Sequence, residues 1–247
     1  MRTLVSVELY KLRTTPAAWV SLGITLVLGM ASVAANALVP SPGGPAFGST
    51  DHVNHTLSVS ALTSMVMLAI GVLVVAGEYR HRTIMQTFLS EPRRARVLAA
   101  KAVTVLGLGA LLGAGTFGIA YAEAVIIYGA RGVHSLPIDA AQLWIGATVA
   151  SALYGLVGVA LGALTRNTVA AIVGAITWVM IIEVGILASA LPEVAQWLPA
   201  GAAIALTSVG TAAHGMLSPT TAALVLTGWA LLISGVAARF SLSREAH

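Results

Sequence analysis

The chain contains no cysteine, and only 9% of its 247 residues are charged. Without cysteine there is no disulfide framework, no thiolate metal site and no thiol nucleophile. The scarcity of charge accompanies a hydrophobic content of 57% and a mean hydropathy of +0.91. A soluble domain, with roughly 45–50% apolar residues, is thereby excluded. Lysine is almost missing as well. The two present, Lys11 and Lys101, are followed by Leu12 and Ala102, so the phosphate-binding pattern GxxxxGK[ST] does not occur. Neither an HExxH zinc pair nor a GxSxG nucleophile elbow is found, so no motif points to an enzyme. Internal repeats with broken helices at matching positions, usual in secondary transporters, are not evident either.

What is present is a series of long apolar runs. Trp19 to Val39 is uncharged and reaches about 30 Å at helical rise, the thickness of a bilayer's hydrocarbon layer. Counting such runs predicts an all-α polytopic membrane protein, a single transmembrane domain over 1–247, with six spans near 17–39, 57–77, 101–128, 140–164, 169–190 and 221–239. The first run is a full span long and follows an amphipathic segment, so it reads as a retained span and not a cleaved leader. Residues 1–15 place Val5, Leu9 and Leu12 on one face and Arg2, Ser6 and Arg13 opposite, predicting an interfacial amphipathic helix; an ordinary basic flank without helix is the alternative. Between the fifth and sixth spans, 191–219 is punctuated by Pro192, Pro199 and Pro219 and reads as an outer segment of short re-entrant helices. A sixth span that returns the chain keeps both termini cytoplasmic. Twelve of the 13 basic residues then lie inside and only Arg131 outside, as the positive-inside rule expects. The same placement explains the net charge of +4 without nucleic acid.

Charge is concentrated in Gly77 to Lys101, GEYRHRTIMQTFLSEPRRARVLAAK, which holds six of the 13 basic residues. Lying between two spans, 78–100 must face water at the cytoplasmic surface. Ile84, Met85, Phe88 and Leu89 fall at helical spacing, and Glu78 to Arg82 is an i, i+4 acid-to-base pair. Pro92 ends that helix before the basic cluster Arg93, Arg94, Arg96 and Lys101. Such a helix serves either anionic lipid or a protein groove. Two carboxylates, Glu123 and Glu183, fall within spans, where an ionised group is costly. Either could line a substrate path, bind a proton or pair with a neighbouring helix. Glu123, closer to the outer rim, reads as structural or interfacial, and Glu183 is open between function and structure. Pro40 to Thr56 reads as an irregular outer loop in which His52 and His55 are solvated and hold no metal.

A glutamate at the inner end of the second span, a threonine-containing helix, a proline, a basic cluster and a lysine opening the third span resemble the permease subunits of bacterial ABC type 2 exporters. Here these are Glu78, Thr83, Pro92, Arg93 to Arg96 and Lys101, with Arg82 where the family often has glycine. The interfacial helix, the six spans and the apolar segment after the fifth extend the likeness over essentially the whole chain. The resemblance implies a chain of the inner membrane that is not itself catalytic and binds no cofactor. A separate ABC ATPase subunit would carry ATP and Mg, and a second copy or a related permease would complete the path. It further implies that 78–100 is the coupling loop. Ile84, Phe88 and Leu89 would make its apolar contact, Glu78, Arg80 and Arg82 its polar ones, and Pro92 would set the exit angle. Few internal charges favour a lipophilic or amphipathic substrate such as a drug, peptide or lipid. A non-transporting interaction, immunity or sensor protein of the same fold is the alternative.

Overall fold

The computed structural model describes residues 2–39, 44–58, 60–80, 93–209 and 215–243. Their helices are α1 (Arg2–Thr14), α2 (Pro16–Leu38), α3 (Thr50–Thr56), α4 (Ser60–Arg80), α5 (Arg94–Ala130), α6 (Ala140–Thr165), α7 (Thr168–Thr177), α8 (Pro192–Ala195), α9 (Pro199–Leu206) and α10 (Pro219–Ser243). A π-helical stretch, Trp178–Leu187, and a last turn, Ala188–Ala190, prolong α7. Six helical segments are long and apolar enough to cross a membrane. The protein is an all-α polytopic membrane protein.

Local chemistry explains where these helices begin and end. Pro16 opens α2 at a position where its missing N–H is not needed. Asp139 caps α6 by accepting the Gln142 N–H at 3.1 Å, and Asn167 caps α7 by accepting that of Ala170 at 3.1 Å. Between these helices Arg166 takes φ 53°, the left-handed conformation that ends a helix abruptly. Its guanidinium then lies 5.2 Å from the centre of the Tyr79 ring.

Helix α6 is the most buried span and the axis of the bundle. It crosses α4 where Gly71, Gly155 and Gly158 remove side chains from both surfaces. A Cβ on Gly158 would sit 2.1 Å from the Leu68 carbonyl oxygen, and one on Gly71 would sit 2.2 Å from that of Gly155. Backbones can touch only because these positions carry hydrogen. Leu68, Val72 and Ala76 of α4 pack there with Tyr154 and Val157 of α6 and Leu226 and Ala230 of α10. The fifth span, by contrast, exposes most of its surface to the surroundings.

Three expectations change. The segment Pro40 to Thr56 is not wholly irregular, because Ser49 accepts the His52 N–H at 3.3 Å and starts α3. On α1, Leu9 is exposed, and the protein-facing stripe is Leu4, Val5, Glu8, Lys11 and Leu12. Helix α5 starts at Arg94 and not near 101, so the basic cluster is largely helical. At 37 residues it is about 55 Å long, well over the thickness of the hydrocarbon layer. Helices α8 and α9, of 4 and 8 residues, are each too short to cross, and six spans are found among the described residues.

Candidate functional site

The segment that concentrates charge is rooted in the last turn of α4 and the first turns of α5. Four charged side chains close a ring there. Lys101 Nζ donates to Glu8 Oε2 at 2.8 Å, to Glu78 Oε1 at 2.8 Å and to the Val74 carbonyl at 3.1 Å. Lys11 Nζ donates to Glu78 Oε1 at 2.8 Å and to Glu8 Oε1 at 3.1 Å. Each ammonium thus touches both carboxylates, and the ring is neutral overall. Lys101 is only 1% exposed, so all three of its donors are satisfied within the protein. Lys11 lies at the rim. Burial alone would lower its proton affinity, but hydrogen bonds and charge from Glu78 and Glu8 outweigh that and hold it above the ordinary lysine value.

Sequence reasoning assigned Glu78 to a pair with Arg82 and to an external polar contact. Its Oε1 faces inward and serves two ammonium groups, Oε2 is buried without a partner among the described residues, and the pair with Arg82 lies outside them. Arg80 is exposed at the end of α4. Arg82, Thr83, Ile84, Phe88, Leu89 and Pro92 lie outside the described residues. Glu8 and Lys11 were missed as members of this site. Their spacing, an acid three residues before a base on an otherwise basic segment, was the available signal.

The sequence matches the ABC-2 family transporter proteins over residues 4–185, about three quarters of the chain. No curated protein matches it. The chain belongs to the ABC-2 transporter family. It is therefore a membrane component of an ABC transporter, a family whose membrane chains work with an ATPase subunit and are not normally catalytic themselves.

In this ABC-2 chain the two carboxylates within spans have different surroundings. Glu183 is 1% exposed and lies in the π-helical stretch. The i→i+5 repeat of that helix brings Trp178 alongside it, and the indole Nε1–H donates to Oε1 at 2.5 Å. Oε2 accepts the Ala200 N–H at 2.7 Å, in the first turn of α9. Both oxygens are used, and one of them satisfies a helix-terminal donor that has no intrahelical partner. Glu123 is half-buried on α5, and its Oε2 has no partner among the described residues.

Of the two histidines at the opposite end of the bundle, His55 is exposed, whereas His52 is half-buried and held by protein groups. His52 Nδ1 and the Tyr128 hydroxyl are 2.5 Å apart, and Thr56 Oγ1 lies 3.0 Å from the same hydroxyl. Phe47 stacks on Tyr128 at 5.0 Å, with Arg131 over its other neighbourhood at 5.2 Å. Arg131 also donates to the Ala37 and Leu38 carbonyls at the end of α2. These contacts tie α2, α3 and α5 together, and no cluster of metal-binding side chains occurs among the described residues.

Proposed function

We propose that this chain is the permease subunit of an ATP-driven ABC exporter. Its energy comes from ATP hydrolysis on a separate nucleotide-binding subunit that docks on 78–100. The observation that carries this reading is the ABC-2 family match over residues 4–185 in a sequence without GxxxxGK[ST]. A transporter chain of that family without its own phosphate loop needs another chain's ATP and Mg. The docking element is the coupling loop, with Thr83, Ile84, Phe88 and Leu89 in the partner's cleft and Arg80 and Arg82 at its polar edge. Pro92 sets the loop's exit, and Glu78 holds its root.

Charge asymmetry supports an inner-membrane orientation with both termini, the loop and the turn at Arg166 in the cytoplasm. Two permease copies, or one with a related chain, enclose the path, and the substrate is lipophilic or amphipathic. For the path itself Glu123 is the better candidate, since one of its oxygens has no partner among the described residues. The bonds of Glu183 to Trp178 and Ala200 favour a supporting role under α9. The test is co-expression with a candidate ABC ATPase subunit, purification of the complex and ATP hydrolysis in liposomes. Phe88→Asp is expected to abolish co-purification while the permease still inserts. Retention of the ATPase by that variant would overturn the docking assignment.

A further inference from the structure

The charged ring joins more than the two ends of the loop. Glu8 and Lys11 come from α1, Glu78 from the last turn of α4, and Lys101 from the early turns of α5. We infer that Glu8 and Lys101 are positioning residues that fasten α1 to both roots of the loop, so that displacement of the loop is handed through α1 to the first span. This role rests on the docking reading above.

Three observations carry it. The first is the closure of the ring. An isolated surface ion pair exchanges with water at little cost, but here opening one contact strands a buried charge. The second is packing in the same place: Leu12 of α1, Tyr79 of α4 and Leu98 of α5 all pack against one buried apolar cluster, so apolar burial and charge fasten the same three helices. The third is the elbow between α1 and α2. Only Thr15 separates these helices, and the Trp19 indole reaches back over it to donate to the Arg13 carbonyl at 2.7 Å. Helix α2 itself is largely unburied, which leaves it freer to follow α1 than the tightly crossed α4 and α6 would be.

The absence of cysteine makes a clean test possible. Spin labels on exposed positions Tyr10→Cys and Val103→Cys report α1 against α5, and labels on Leu28→Cys and Ile145→Cys report α2 against α6. Pulsed EPR is recorded on the permease–ATPase complex in liposomes, without nucleotide and with Mg-ATP trapped by vanadate. The 10–103 distance is expected to be narrow and the same in both states, and the 28–145 distance to shift with nucleotide. Glu8→Gln, which removes charge at constant shape, broadens the first and abolishes the shift in the second while the ATPase remains bound. Arg13→Gln, on the same helix and outside the ring, leaves both as in wild type.

A nucleotide-dependent 10–103 distance in wild type would overturn the joint. So would an absent 28–145 shift in wild type, or an undiminished one in Glu8→Gln. If no ATPase binds, the docking reading fails. The 10–103 width in wild type against Glu8→Gln, measured on the permease alone, then still decides whether the ring fastens α1.

Discussion

At Lys101 one ammonium serves carboxylates from two other helices and a backbone carbonyl, in a site closed to water. Lys101→Met leaves Glu8 and Glu78 short of a counter-charge and should cost about 3–5 kcal/mol, read as a lower unfolding temperature of the detergent-purified protein. Lys11→Met, at the open rim of the same ring, should do much less. The rim lysine also carries a pH signature. Because the folded protein raises the Lys11 pKa above 10.5, its contribution is complete below that value and is lost as pH rises through the higher folded one. Wild type should therefore lose stability in a strongly alkaline step that Lys11→Met lacks, its small advantage over that variant being full near neutrality and gone above the step. Glu183 gives a separate residue-scale prediction. Glu183→Ala leaves the buried Ala200 N–H without its acceptor, at about 1–3 kcal/mol, removes the partner of the Trp178 indole as well, and should lower the yield of folded protein. A variant with normal yield but altered transport would return Glu183 to the substrate path.

Among the elements, the crossing of α4 and α6 depends on hydrogen at a few positions. Gly158→Ala would drive a methyl group to 2.1 Å from the Leu68 carbonyl oxygen, and relieving that contact means separating the helices, at roughly 1–3 kcal/mol. Gly107→Ala on α5 meets nothing within 4 Å and should be neutral or slightly stabilising in the same thermal assay. Gly146, Gly155, Gly158 and Gly162 concentrate in one span, a pattern that signals close approach without saying which helix approaches. Other elements were legible in type and not in detail. A polar, proline-rich stretch hid α3, although Ser49 before Asp51 is a helix-start signal that outweighed its surroundings. The π-helical stretch was invisible because its reason is tertiary: it places Trp178 and Glu183 together in contact with α9.

For the whole molecule, the hydropathic runs sufficed for six spans because the bilayer allows little else to an apolar segment of about 20 residues. The site was only half legible. Charge density located the loop, since charge in so apolar a chain must gather at a surface. The destination of those charges was not readable, because Glu8 and Lys101 meet across 93 residues of chain and no local spacing encodes that meeting. Reading Glu78 and Lys101 as surface groups followed from their neighbours in sequence, whereas α1 lies across them and takes both out of water. The proposed docking loop is thus rooted in this chain's own charges. The most direct measurement is affinity purification of the permease co-expressed with a candidate ABC ATPase subunit, comparing wild type with Phe88→Asp. A stable complex that hydrolyses ATP in liposomes, and is lost in Phe88→Asp at equal permease yield, is the predicted result. Failure of the wild-type chain to retain the ATPase, or its undiminished retention by Phe88→Asp, would contradict the account.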